Sequence, residues 1–302
     1  MPRLVYATRQ SKLALAQSRA FVATLQKLAP ALEIVELTVV TTGDRVQDRP
    51  LSEVGGKGLF VKEIEQSLAD GAADIAVHSS KDVPAELLPG MVLGCFPERE
   101  DARDVLVSRD GAKLAELPAG SRVGTTSLRR ALQLKRRRPD LVITPLRGNV
   151  DTRLRKCDEG VVDAVLLARA GLVRLGLAER ATEVLEPSVC LPAIGQGALA
   201  VEHRAGDARV AELLAPLAHE ETSVAVSAER GVMVAVEGDC QTPVAAYAVR
   251  SGAELWLRAL LTEPDGSNYR EGERRAPWPR TLAEAAALGR DLGAELRRGG
   301  TR

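Results

Sequence analysis

Short apolar runs alternate with amphipathic stretches along the first two-thirds of the chain, and this alternation restricts the fold more than any other feature. LVYATR at 4–9, EIVELTVVTT at 33–42 and ADIAVHSS at 73–80 read as strands, separated by helical periodicity over 11–28 and 59–71. Near-continuous apolar strands joined by helices predict a parallel α/β layer. The plan then recurs: strands at 121–126, 141–146 and 162–171 frame helices at 127–138 and 150–160. A faint echo links the halves, because Gly71-Ala-Ala-Asp74-Ile-Ala-Val aligns with Gly160-Val-Val-Asp163-Ala-Val-Leu. The expected class is therefore α/β, with two doubly wound lobes whose strand ends face a shared cleft, where open sheets bind ligands.

From Thr222 the texture changes to a helix, two alternating strands around PVAAYAVR and ELWLRALLTE, a PDGSN turn, a third strand and a helix from about Thr281. This predicts a small α+β C-terminal domain. LPAIGQGALAVEHR, at 191–204, reads as a crossover back to the first lobe. The expected division is 1–97 with 192–218 for lobe 1, 98–191 for lobe 2 and 219–302 for the third domain. A chain of 302 residues has room for several cores.

Acidic and basic residues balance at 41 each and aromatics make up 3%, so neither a polyanionic partner nor a base-stacking platform is indicated. The N-terminus has no signal-like apolar core and no run suits a membrane span, which points to the cytoplasm. Four scattered cysteines suggest reduced thiols, and His78, His203 and His219 share no ligand spacing, so no metal site is expected.

The chemistry concentrates at strand tips. Lys81 and Asp82 follow ADIAVHSS, Arg9 follows LVYAT, and Ser127, Arg129 and Arg130 open the helix after RVGTT. Arg147 and Arg153 lie in and after PLRGN, and Arg174 closes LARAGLVR. Guanidinium forks match carboxylates, and cations at a helix start are unfavourable unless an anion is nearby. Several anionic groups are thus the expected ligand. Asp82 could equally cap the turn before Pro84, and the run Lys135 to Arg138 reads as a solvated helix C-terminus.

VGGKGLF, with Lys57, lacks the ending of a phosphate-binding loop and suits a mobile lid. Cys240, in VEGDCQTPVAA, falls in a polar loop; it is either small filler or a thiol available for covalent chemistry.

Together ATRQSKLALAQ, VGGKGLF, HSSKDVP, GTTSLRRALQL, LRGNVDTRL, LPAIGQGAL and EGDCQTPVA resemble the porphobilinogen deaminase (hydroxymethylbilane synthase) family, in its order, from residue 7 to 245. The resemblance implies two periplasmic-binding-protein-like lobes plus the C-terminal domain, and a monomeric cytoplasmic transferase acting on porphobilinogen. It would deaminate this pyrrole, which bears acetate and propionate, and join four units head to tail. By the same resemblance a dipyrromethane cofactor is attached covalently through Cys240, and Asp82 is the catalytic carboxylate. Lys81, Ser127, Arg129, Arg130 and Arg147 would hold the cofactor, with Arg9, Ser11, Arg153, Arg174, Gln196 and Lys57 around the substrate. Ser80, Thr126 and Asp239 depart from the commonest form of these motifs; Asp239 would put an extra acid beside the attachment site.

Two rival classes stand beside this reading. A non-catalytic receptor for small anions would use two lobes but has no need of a third domain presenting Cys240. A cysteine hydrolase would need a base for that thiol, and His78 alone lies near a motif.

Overall fold

A computed structural model describes residues 3–45, 58–237 and 242–299. β1 (Arg3–Arg9) and β2 (Glu33–Val39) are parallel, in register from Arg3↔Glu33 to Arg9↔Val39, and α1 (Lys12–Leu28) connects them. α1 begins where the extended Ser11 accepts the amide of Ala14 through its hydroxyl, at 3.2 Å. A single turn, α2 (Thr42–Arg45), and α3 (Lys62–Ala69) precede β3 (Ile75–Ser79), which lies parallel to β1. The chain then makes a 3₁₀ turn over Ser80–Asp82 and runs through β4 (Met91–Cys95) before leaving the lobe.

The second lobe contains β5 (Asp104–Ser108), β6 (Arg122–Gly124), α4 (Leu128–Arg137), β7 (Val142–Thr144), α5 (Val150–Asp158), β8 (Ala164–Ala168), α6 (Arg169–Arg174) and β9 (Glu183–Leu185). Its strand order is β7-β6-β8-β5-β9. Only after building this sheet does the chain return to the first with β10 (Leu199–Arg204), giving β2-β1-β3-β10-β4. The crossover expected at 191–204 thus ends as a strand.

Both sheets are mixed, which corrects the purely parallel expectation. β10 is antiparallel to β3 and β4, and β5 is antiparallel to β8 and β9. These two strands are the ones that enter a sheet from the other lobe through extended segments, without the helix that would turn them parallel.

Helices cover both faces of each sheet, as in a doubly wound layer. In the first lobe Phe21 and Leu25 of α1 pack on one face with Leu4, Ile75 and Val201, while Ile64 and Leu68 of α3 cover Ala7 and Ala76 on the other. In the second, Leu134 of α4 meets Leu106 and Leu166; Leu154 and Leu172 fill the opposite face.

After α7 (Ala208–Leu214), α8 (Glu220–Ala235) leads to an antiparallel sheet of β11 (Val244–Ser251), β12 (Glu254–Leu261) and β13 (Arg270–Pro277), closed by α9 (Leu282–Arg298). α8 and α9 touch at glycine: a Cβ on Gly289 would lie 1.9 Å from the Ala228 carbonyl oxygen. Glu229 of α8 is wholly buried. Its carboxylate accepts both terminal nitrogens of Arg99, at 2.6 and 3.1 Å, and the amides of Gly195 and Ala248, at 2.7 and 2.9 Å. One side chain therefore fastens both interlobe connections to the third domain.

Candidate active site

The carboxyl ends of the two sheets face each other. Lys12 at the start of α1 pairs with Asp151 at the start of α5, Nζ to Oδ2 at 3.1 Å. Arg174, ending α6, donates across the divide to the Gly197 carbonyl at 2.6 Å and to Gln17 of α1 at 3.5 Å. Gln17 in turn accepts the Ser79 hydroxyl at 3.0 Å, just before the Ser80–Asp82 turn.

Asp82 closes that turn with its side chain 31% exposed. The turn fixes its position because the Val83 amide donates back to the Ser80 carbonyl at 3.2 Å. Arg9, at the tip of β1, reaches Asp82 at 3.5 Å, but is held more tightly by Asp44, at 2.5 and 3.2 Å, with its guanidinium 4.1 Å from the Phe60 ring centre. Burial alone would raise the pKa of Asp44; the bonds from Arg9 and Thr41 outweigh it and hold the carboxyl below its usual range. Asp44 was not legible as a site residue, since TTGD resembles any polar turn.

Lys81 is exposed to solvent, with charged groups of both lobes around it. Desolvation, with Arg130 and Arg129 opposite, outweighs the attraction of Asp82 and Asp104 and pushes its pKa down to about 8, a shift that cleft water tempers. Lys81 and Asp82 belong to the first lobe and the two arginines to the second, so this coupling marks where the lobes converge.

Ser127 caps α4, accepting the Arg130 amide at 3.5 Å. The anion that makes two cations tolerable at this helix start is Asp104, the fully buried first residue of β5. It lies 2.7 Å from Arg129 Nη1 and accepts Arg130 Nε and Nη2 at 3.0 and 2.7 Å. Those partners overcome burial and keep its pKa far below that of an ordinary carboxylate. Arg129 also donates to the Leu191 carbonyl, and Arg130 to that of Leu166. Gln196, 1% exposed, donates to Asp104 at 2.9 Å and to the Ala102 carbonyl at 2.6 Å. Sequence pattern missed Asp104, although an acid opening an otherwise apolar strand, DVLVS, is the kind of residue that demands a buried cation.

Arg153 of α5 donates Nε to the Gly148 carbonyl at 2.8 Å. Burial, then repulsion from Arg130 and Arg147, lowers its pKa to about 10, and no carboxylate offsets them. Arg174 is likewise lowered by burial, partly countered by Glu100. Lys81 feels Asp82, Asp104, Arg129 and Arg130, and Arg153 feels Arg130 and Arg147, so positive charge gathers at this end of the second lobe. Such an excess is relieved by an anionic ligand.

Lys57 and Cys240 lie outside the described residues. The other three cysteines are buried, and desolvation pushes their thiols up to about 12 for Cys95, 11 for Cys157 and 12 for Cys190, so none is a ready nucleophile. His78 is 4% exposed and bonded to Glu202 at 2.9 Å, away from the cleft surface. The run from Lys135 to Arg138 is less free than a solvated surface: Arg136 stacks on Tyr269 at 4.4 Å, and Arg138 binds the Leu117 carbonyl at 2.7 Å.

The chain is similar to known proteins along nearly its whole length. Residues 4–212 match the family described as porphobilinogen deaminase, dipyromethane cofactor binding domain, and residues 223–298 match its C-terminal domain. The porphobilinogen deaminase of Sorangium cellulosum is 64% identical over 98% of this chain and 99% of its own length; that of Paraburkholderia phymatum is 52% identical over 97% and 89%. The Escherichia coli periplasmic sulphonate binding protein SsuA aligns over 78% of this chain and 71% of its own, at 15% identity and a TM-score of 0.43.

Proposed function

The chain belongs to the porphobilinogen deaminase family, and we propose that Asp82 is its catalytic carboxylate, Cys240 its point of cofactor attachment and the converging cations its carboxylate clamp. Enzymes of this family are transferases of tetrapyrrole biosynthesis: they join four porphobilinogen molecules head to tail into hydroxymethylbilane, releasing ammonia, with a dipyrromethane cofactor. That is the activity of this chain. The observation that carries the site assignment is the position of Asp82, partly exposed at the tip of the first lobe beside Lys81, which the arginines of the second lobe face.

The cationic cluster fits the cofactor's chemistry, because two pyrroles bring four carboxylates and Arg153 is already strained by Arg130 and Arg147. When bound, the dipyrromethane supplies the nucleophilic pyrrole carbon that starts the chain. Arg147, Arg153 and Lys81 bind carboxylates directly, while Asp104 fixes Arg129 and Arg130, and Gln196 fixes Asp104. Ser127 holds the first turn of α4, and Ser11 that of α1. Arg9 and Arg174 flank the path of incoming substrate, and Lys57 is assigned to the same group. Loss of ammonia from porphobilinogen leaves positive charge on the pyrrole nitrogen; the Asp82 carboxylate stabilises it and receives the proton released as the new bond forms. With Cys95, Cys157 and Cys190 buried, Cys240 is the thiol that suits attachment.

The proposed domain limits are 1–97 with 192–218, 98–191 and 219–302. The reading extends to a cytoplasmic monomer without nucleic-acid or membrane partners, supported by the balanced charge. Among the described residues no helix is long and apolar enough to cross a membrane.

Intact-protein mass spectrometry with peptide mapping tests the assignment. An adduct of two pyrrole units on the Cys240 peptide is expected, retained in Asp82→Asn while turnover of porphobilinogen falls by about 10²–10⁴-fold. An active protein without the adduct overturns the role of Cys240, and near-normal turnover of Asp82→Asn reduces Asp82 to a turn cap.

A further inference from the structure

Away from the cleft, a cavity of about 720 Å³ lies between the interlobe connections and the outer face of the C-terminal sheet. That size is ordinary for a small-molecule site. Strand alternation builds its wall: Leu255 and Leu257 point into the domain core, leaving Trp256 and Arg258 of β12 on the outer face beside Tyr247 of β11. Cations and rings contact one another in series. Arg275 lies 4.4 Å from the Trp256 ring centre, Arg258 is 4.1 Å from Trp256 and 5.4 Å from Tyr247, and Arg99 is 5.2 Å from Tyr247.

The arginines in this series differ in their anions. Arg99 has Glu229, and Arg275 approaches Glu254 at 3.9 Å. The Arg258 side chain makes no hydrogen bond or ion pair among the described residues, and its Nε is buried with no partner. The side chain is half-buried, and Tyr247, Glu273 and Glu186 favour its charge without bonding to it, so the guanidinium still has donors to offer an anion. Burial nonetheless lowers its pKa.

We propose that this cavity binds a small carboxylate with an apolar or aromatic body, gripped by Arg258. The two terminal nitrogens of the guanidinium, unlike Nε, are not buried and offer paired donors to carboxylate oxygens, and Tyr247 and Trp256 give the body apolar walls. Glu100, Asp101 and Glu186 also line the cavity, opposite Arg99, Arg103 and Arg258, and disfavour a more highly charged anion such as phosphate. Because the walls come from an interlobe connection, from the segment after β9 and from the third domain, an occupant ties these parts together and slows any motion between them.

Benzoate is a suitable probe, with neutral benzamide as its control. In the cofactor-loaded enzyme, Trp278→Phe leaves Trp256 as the only tryptophan. Benzoate at constant ionic strength should change its emission saturably, benzamide should not, and Arg258→Gln should weaken the response at least tenfold. The cleft arginines also accept carboxylates, so inhibition of turnover that persists in Arg258→Gln reports the cleft alone; this separates the cavity from the active-site assignment. Equal responses to benzoate and benzamide, no saturable response, or undiminished binding by Arg258→Gln each overturns the proposal.

Discussion

Replacing Asp104 by Asn should damage the second lobe and the cofactor clamp together. The carboxylate is fully buried between Arg129 and Arg130, with Gln196 as a third donor. The amide keeps the shape and one acceptor oxygen but removes the charge, leaving two interior guanidiniums balanced only by the Leu166 and Leu191 carbonyls. Breaking a buried ion pair from one side costs about 3–5 kcal/mol, and the retained acceptor argues for about 3. With a urea slope of about 1–2 kcal/mol/M for a lobe-sized unit, the midpoint of its transition should fall by about 1.5–3 M. The pH dependence fixes the sign. Asp104 has a folded pKa below its unfolded value of about 3.9, so its contribution is present above about pH 4 and lost as pH falls through the folded value. The gap between wild type and Asp104→Asn should therefore narrow on moving from about pH 5 to pH 3. Urea titrations followed by circular dichroism at several pH values, with adduct yield by mass spectrometry, measure both effects. An unchanged midpoint at pH 7 with full adduct refutes the reasoning and shows that the carbonyls suffice.

Lys81 should reach half-maximal acylation below the ordinary lysine range when a pulse of acetic anhydride is mapped by peptide mass spectrometry across pH; its cation, and the grip on carboxylates it provides, is lost as pH rises through the lowered value, and half-maximal reactivity at the ordinary lysine value refutes the shift. Asp44→Asn should release Arg9 to pair fully with Asp82, lowering turnover at saturating porphobilinogen by about tenfold while leaving the adduct intact. Gly289→Ala forces apart two helices with no space for a methyl group and should cost about 2 kcal/mol, a fall in melting temperature of about 4–8 °C by calorimetry. Lys12→Met breaks an exposed interlobe pair and should shift the melting temperature by no more than about 2 °C.

Periodicity alone revealed the elements whose burial is local. Ser11 and Ser127 announce the starts of α1 and α4, and the apolar run before Lys81 and Asp82 places them at a strand tip. What periodicity could not reveal was direction and partnership over distance. Nothing within DVLVS or LAVEHR states that these strands run antiparallel to their neighbours, because that follows from which lobe the chain arrives from. The misfit of Arg129 and Arg130 at a helix start was visible, but the nearest answer to it, Asp104, is more than 20 residues away and meets them only through sheet order. Arg9 similarly reads as free for substrate until α2 brings Asp44 to it. Buried charge is the least local property of a chain, and neither pattern nor motif resemblance reached Asp104 or Asp44.

Glu229 makes the third domain a passenger of the hinge. Any widening of the cleft to accommodate a lengthening product must pivot on backbone not fastened by that carboxylate: between Arg99 and β5 on one connection, and between β9 and Gly195 on the other. Rotation there swings the second lobe as a jaw, while the first lobe and the domain carrying Cys240 stay together as the anvil. With Cys240 as the proposed point of attachment, the growing chain would be anchored to the stationary half of the machine and gripped by arginines on the half that moves.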